Sequence, residues 1–165
     1  FAIGMRADNS FGWSGQADEV AFYPDALTAD QVSSHYSAGI GASPATPYEA
    51  VVTADHPLAF WRLNEAAFTA PVAVNSGSLG APANGSYRGG ASDASEAPRS
   101  PAFTGFEDDN TSLNLDGTSG FVGTALSLLN SRPAFTISGW VRRGGDQVYC
   151  GQNTNSHKPG QGVKR

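Results

Sequence analysis

The 165-residue chain has few of the side chains from which active centres and disulfide frameworks are built: one cysteine, three histidines and 15% charged residues. A single cysteine excludes an internal disulfide framework and leaves the compartment open. No apolar run approaches the roughly 20 residues of a membrane-spanning helix. The net charge is −5, and no basic patch is available to neutralise nucleic-acid phosphates. We therefore expect neither nucleic-acid binding nor a membrane span.

Motifs for catalysis are also missing. The sequence contains no G-x-S-x-G, no phosphate-binding loop and no zinc-ligand spacing, and its histidines are scattered. Asp18 and Glu19 are adjacent on an expected strand, so their side chains should point to opposite faces and could not flank one glycosidic bond. The acidic run 107–109 precedes another expected strand and is typical of a solvated loop. We expect the chain not to be an enzyme.

What the sequence does contain is typical of a β-rich domain. Twenty glycines and ten prolines indicate many turns, and 39% hydrophobic residues can supply a core. Alternating apolar and polar residues predict strands in several places. The clearest are at residues 1–5, 16–23, 58–65, 111–116 and 134–143. Leu113 and Leu115 are expected to face the core, as is Trp61.

The stretch from Gly15 to Gly39 combines a strand, a turn and a helix. In the strand, Asp18 is expected to share a face with Val20 and Phe22. A carboxylate on a buried face is costly unless it is hydrogen-bonded, ion-paired or bound to a cation. Two alternatives remain open: a structural role for Asp18, or an edge position where it reaches water or caps a backbone N–H.

Start and stop signals predict a helix from about residue 29 to residue 38. Thr28 is suited to the N-cap, and Gln31 completes the spacing of a capping box. Gly39 suits the left-handed position after the helix. A second short helix is predicted at YEAVVTA, residues 48–54.

Three motifs near the amino terminus resemble a known family: G-x-x-D-E-V-A-x-Y, then A-L-T-A-x-Q-V, then H-Y-x-A-G. Their order and spacing resemble the closing strand and helix of laminin-G-like domains, in the concanavalin A-like lectin/glucanase superfamily. The bacterial type with one jelly-roll sandwich is the most similar. Further on, Y-E-A-V-V-x-A-D-x-P-L-A-F-W-R-L-N-E resembles the opening strand of the same family, and L-N-L-D-G-T-S-G-F-V and F-T-I-S-G-W-V resemble later strands.

This resemblance implies an all-β fold, an incomplete antiparallel jelly-roll β-sandwich with one short helix after the first hairpin. The segments that resemble the end of the family's domain precede those that resemble its beginning. The expected organisation is therefore the end of one module at 1–41, a linker at 42–47, the front of a second module at 48–153, and a disordered tail at 154–165. The first part's strand could pair with the opening strand of the second. An unfinished sandwich exposes sheet edges, so dimerisation or aggregation is expected.

The resemblance also implies candidate binding residues. A structural calcium often bridges the first and last strands of such sandwiches, and Asp18 and Glu65 are the matching carboxylates. The alternative is that each is paired with Arg62 or with a backbone N–H. For ligand binding the candidates are Trp13, Trp140 and Arg142. Trp13 could stack on a sugar or fold back over the sandwich edge, and the polar face of Trp140 could be a concave binding sheet or an outer surface.

The function implied is a non-catalytic module for adhesion or for binding carbohydrate or protein. It would belong to a large extracellular or cell-surface protein, beside neighbouring laminin-G-like modules. Two alternatives stay open, a structural spacer in a repeat array and an accessory domain of a secreted glycoside hydrolase.

Overall fold

A computed structural model describes residues 1–144 except residues 7, 9, 43–45, 66–70 and 95. Its strands are β1 (Ala2–Ile3), β2 (Ser14–Tyr23), β3 (Ala59–Trp61), β4 (Val72–Ala73), β5 (Gly85–Arg88), β6 (Ser92–Ala94), β7 (Ser112–Asp116), β8 (Phe121–Thr124) and β9 (Thr136–Arg143). Its two α-helices are α1 (Ala29–Gly39) and α2 (Tyr48–Ala54), and residues Ala81–Ala83 form one turn of 3-10 helix. Within the described ranges, neither helix is long or apolar enough to cross a lipid bilayer.

The strands form two antiparallel sheets. One has four strands in the order β1-β8-β5-β4. The other has five strands with β2 at its centre: β9 pairs along one side of β2, while β7 and β3 share the other side and β6 lies beyond β7. Two antiparallel sheets with two short helices are the arrangement of a β-sandwich, which confirms the expected all-β class.

The main core lies between the two sheets. From the five-stranded sheet it takes the side chains of Ala17, Val20, Phe22, Trp61, Leu113 and Leu115, and from the other sheet those of Ile3, Ala73 and Val122. Trp61, Leu113 and Leu115 are at most 2% exposed. The strand alternation predicted for these residues is confirmed.

The opposite face of the five-stranded sheet is covered by the helices. Ala21, Tyr23 and Phe60 of the sheet pack there against Ala38, Tyr48, Val52 and Phe106. We call this the helix-covered face, and the side toward the other sheet the inner face. Burial on both faces explains why β3 and residues 20–23 of β2 are continuously apolar.

Helix α1 begins as predicted. Thr28 Oγ1 accepts a hydrogen bond from the Gln31 N–H, and the Gln31 side chain accepts one from the Thr28 N–H, which is a complete capping box. The end differs from the prediction. Gly39 is still helical, and Gly41 takes the left-handed position with φ +70° while its N–H donates to the Ala38 carbonyl.

The expected hairpin between the first two strands is wrong. β1 pairs with β8 of the four-stranded sheet, whereas β2 is the centre of the other sheet. The chain turns at Gly4, directly after the first strand. Its φ of +92° is a conformation that glycine adopts readily. Residues 4–13 therefore connect the two sheets.

The strand of the first part of the chain pairs with the opening strand of the second, as anticipated. Val20, Ala21 and Phe22 of β2 lie opposite Trp61, Phe60 and Ala59 of β3. The division into two module fragments, with a linker at 42–47, stays a prediction. The expected tail at 154–165 and residues 145–153 lie outside the described residues.

Candidate functional site

The site is organised by a bulge in β2 at Glu19. Before the bulge β2 pairs with β7, through Ala17, and after it with β3, from Val20 onward. Glu19 has φ +52°, and the register against β9 shifts between Asp18 and Ala21. One extra residue is thus inserted where β2 changes neighbours, and the Glu19 N–H donates to the Arg62 carbonyl at 3.3 Å to bridge the gap.

The bulge changes the face on which Asp18 lies. Asp18 is opposite Trp140 of β9, on the helix-covered side, whereas Val20 and Phe22 belong to the inner core. The expectation that Asp18 shares a face with Val20 and Phe22 is wrong, because the inserted residue breaks the alternation. The argument that Asp18 and Glu19 must point to opposite faces fails for the same reason, since both carboxylates contact groups on the helix-covered side.

Asp18 is a buried carboxylate held by neutral donors. Its Oδ1 accepts from the Glu19 N–H at 3.0 Å, and its Oδ2 accepts from Asn110 Nδ2 at 2.8 Å. The side chain is 1% exposed. Burial, with the adjacent Glu19 charge, raises the pKa of Asp18 to about 8. Burial excludes the edge position in water, whereas the hydrogen bond from a neighbouring backbone N–H, the other form of that alternative, is present.

Glu19 is joined to Arg62, which lies among three carboxylates. Arg62 Nε donates to Glu19 at 2.8 Å, and its two terminal nitrogens reach Glu49 at 3.1 Å and Glu107 at 2.7 Å. Glu19 is fully buried, while Glu49 and Glu107 are partly exposed. Burial raises the pKa of Glu19, and the Arg62 guanidinium opposes that rise. The cluster ties β2 and β3 to α2 and to the segment before β7.

A groove of about 520 Å³ opens beside Asp18 on the helix-covered side, at the end of the sheet that α1 and α2 leave free. One wall is the segment 96–103, and the floor is formed by β2, β7 and β9. The groups that line it include Gln16, Asp18, Phe103, Ser112, Trp140 and Arg142. The groove thus combines aromatic rings with a carboxylate, an amide, a hydroxyl and a guanidinium.

Trp140 stands between this groove and an aromatic cluster. Its ring lies 6.3 Å from that of Tyr36, nearly parallel, and 5.4 Å from the rings of both Phe103 and Phe106, edge to face. Tyr36 is itself 60% exposed. Trp140 is therefore on the helix-covered face, held by neighbours but still present at the groove wall.

Arg142 lies at the mouth of the groove. Its guanidinium forms an ion pair with Glu96 of the groove wall, and both side chains are more than half exposed. The pair is screened by solvent and holds the wall only weakly. The Arg142 guanidinium can therefore exchange this partner for a ligand.

Glu65 and Trp13, two other predicted site residues, lie outside this groove. Glu65 Oε1 accepts from the Val74 N–H at 2.7 Å, and its Oε2 accepts from the Tyr87 hydroxyl at 2.5 Å. Trp13 packs against the inner core, beside an apolar groove lined by β1 and β9. Trp13 has therefore folded back against the sandwich, which is one of its two expected positions.

The carboxylates expected to bind calcium are each engaged by protein donors. All four oxygens of Asp18 and Glu65 accept a hydrogen bond from N–H or O–H groups. Among the residues that the structure describes, no three histidine, cysteine or acidic side chains are grouped as metal ligands. A cation at either residue would need those donors to turn away, so the calcium site stays a prediction.

Three residues of the site were not singled out from the sequence: Glu19, Asn110 and Arg62 in its role as partner of Glu19. Glu19 Oε2 and Asn110 Oδ1 are buried and have no hydrogen-bond partner within the described part of the chain. The signal in the sequence was the D-E pair directly before the apolar residues 20–23 of the same strand. Two consecutive acids at such a position indicate an interruption of the pleat as readily as an edge.

Comparisons of the chain with protein-family models, with curated proteins and with solved structures found no match in any of the three.

Proposed function

We propose that this chain is a non-catalytic recognition module that binds carbohydrate in the groove beside Asp18. The proposal rests on one observation: the groove brings together the Trp140 ring, the Arg142 guanidinium and the Gln16 amide on one face of the five-stranded sheet. Carbohydrate sites need an apolar surface for a sugar ring and a few fixed polar groups for its hydroxyls. The sheet fixes the positions of these groups, and the loop 96–103 forms a wall of the groove.

The wider setting is proposed from the sequence resemblance. The fold would be a laminin-G-like jelly roll of the concanavalin A-like superfamily, in an extracellular or cell-surface protein with neighbouring modules of the same type. The acidic composition and low lysine content are compatible with this placement. The proposal includes no catalysis: Glu19, the acid next to Asp18, is fully buried and ion-paired with Arg62, and Glu96, the other carboxylate that lines the groove, is paired with Arg142.

The test is a glycan array followed by titration of the best ligand. The intact chain should retain a defined set of glycans, and Arg142→Ala should weaken binding about fivefold or more because a charged hydrogen-bond donor is lost. Arg88→Ala is the matched control, since Arg88 is an arginine on β5 of the other sheet.

Two results would oppose the proposal. Retention of no glycan would favour the structural spacer, the alternative in which the module only separates its neighbours. Equal weakening by Arg142→Ala and Arg88→Ala would show that binding depends on overall charge and not on the groove.

A further inference from the structure

The outer edge of β9 has no partner strand among the described residues. β9 pairs with β2 along one side, over Thr136–Arg143, and the described strands leave its other side open. The Gly144 N–H donates to the Ser14 carbonyl at 3.1 Å. Since peptide groups alternate along a strand, the backbone groups of residues 137, 139 and 141 point away from β2. The edge of β9 is thus available for pairing at these three residues.

The same strand has an uncovered apolar face. Phe135, Ile137 and Val141 are 45%, 46% and 66% exposed, although their side chains lie on the inner face with Phe22 and Val20. By contrast, β3 on the other side of β2 is fully buried. An apolar row beside an open edge is typical of a surface that pairs with another strand.

We propose that β9 pairs antiparallel with β9 of a second copy of this chain, about a two-fold axis at Gly139. This register places Val141 of each copy opposite Ile137 of the other, and Gly139 opposite Gly139. It pairs all three of these outward-pointing residues. The exposed apolar side chains of both copies then form cross-strand pairs on one face.

Charge complementarity favours this register over its neighbours. Arg142 comes opposite Thr136 of the second copy, whose hydroxyl is bonded to the Asp25 carbonyl. The backbone of Asp25, an exposed acidic residue, thus lies near Arg142 of the other copy, and the two Arg142 side chains are six positions apart. An axis at Val141 brings the arginines closer together and pairs only residues 139–143. An axis at Ile137 leaves Val141 unpaired.

The first test is sedimentation velocity of the full chain over a range of concentrations. The intact protein should form a dimer, and Val141→Lys should raise the dimer dissociation constant about tenfold or more, because a charge on the paired face must be desolvated. Val32→Lys is the matched control, since Val32 is an exposed valine on α1, 53% accessible. A protein that stays monomeric, or equal effects of the two variants, would overturn the proposal.

The second test fixes the register by disulfide trapping in a Cys150→Ser background. A mixture of Ile137→Cys and Val141→Cys chains should form a cross-linked dimer under mild oxidation, because only opposite residues come within disulfide distance. Neither variant should cross-link alone. Cross-linking of Val141→Cys with itself would place the axis at Val141 and overturn the proposed register.

The other segment that could cover the edge of β9 is the chain's own sequence after Gly144. A variant that stops at Gly144 distinguishes the two cases. If the truncated chain dimerises while the full chain stays monomeric, the segment 145–165 covers β9 and the proposal is wrong. If both dimerise with similar affinity, the second copy is the partner.

Discussion

The two faces of the five-stranded sheet are built from the same strands but differ in chemistry. The inner face is packed from apolar side chains such as Phe22, Trp61 and Leu113. The helix-covered face also has an aromatic core, yet it holds the buried acids Asp18 and Glu19 and the partly buried Arg62. The difference originates at one bulge, which turns two consecutive acids to one side. Apolar packing supplies stability on the inner face, whereas on the helix-covered face the burial of ionisable groups opposes folding, and one of these groups, Asp18, lines the groove.

The largest effect is expected from the inner face. Trp61 is fully buried, its ring stacks on Phe1 at 5.7 Å, and its Nε1 donates to the Ala83 carbonyl at 2.9 Å. Trp61→Ala should lower the free energy of unfolding by about 3–5 kcal/mol, through lost burial and the cavity left behind. Urea denaturation measures this, with Tyr36→Ala as the exposed aromatic control. A loss below about 1 kcal/mol would show that the inner face is not the stabilising core.

On the helix-covered face, the next largest effect is expected at Arg62. Arg62→Met leaves the Glu19 carboxylate buried without its cation and should cost about 3 kcal/mol. The double variant Glu19→Gln, Arg62→Met removes both charges and should recover most of that loss. A double-mutant cycle in urea tests the coupling. Equal losses in the single and double variants would mean that Arg62 acts by packing and not by pairing with Glu19.

The pH dependence of stability should depend on Asp18. Its pKa is raised from 3.8 to about 8 in the folded protein, so the folded state binds a proton that the unfolded state releases above about pH 4. This contribution is complete below about pH 4 and is lost as the pH rises through about 8. Stability should therefore fall with rising pH across this window, by up to about 1.4 kcal/mol per pH unit for one carboxyl.

The matched variant for this prediction is Asp18→Asn, measured by urea denaturation at several pH values from 4 to 9. This variant should flatten the dependence of stability on pH. It should also be more stable than the natural chain at pH 9, since the charge of Asp18 is no longer buried. An unchanged slope would assign the pH dependence to other groups, of which Glu19 is the first candidate.

The smallest expected effect is that of calcium. If calcium binds at Asp18 and Glu65, the free energy of unfolding should rise by about 1.4 kcal/mol when the calcium concentration is about ten times the dissociation constant. Thermal melting with and without calcium measures the shift, and Asp18→Asn and Glu65→Gln should each abolish it. If melting is unchanged by calcium in the natural chain, both residues act only through the hydrogen bonds that they accept.

Local rules predicted much of this structure from the sequence. The capping box at Thr28 and Gln31 fixes the start of α1 through contacts three residues apart, so no tertiary information was needed. The alternation in β7 placed Leu113 and Leu115 correctly because a regular strand has period two. Core packing of Trp61 followed from the same pattern.

The misplaced features depend on contacts between distant parts of the chain. Asp18 was assigned to the wrong face because a one-residue bulge shifts every later side chain, and the bulge exists only where β2 exchanges β7 for β3. The burial of His35 on α1 also depends on such a contact, because its Nε2 lies 2.7 Å from Asp55 Oδ2, which the spacing of residues on α1 does not reveal.

Because β2 pairs with β3, β7 and β9, we expect the chain to fold cooperatively around it. Comparing the whole chain with a version that starts at Pro47 tests this expectation most directly. The shorter version lacks β1, β2 and α1. Without β2, the strands β3, β7 and β9 lose the strand with which each of them pairs. The whole chain should show one cooperative thermal transition by circular dichroism, and the shorter version should show none. A cooperative transition in the shorter version at a similar temperature would contradict this expectation, because residues 47–165 would then fold without β2 and its two carboxylates.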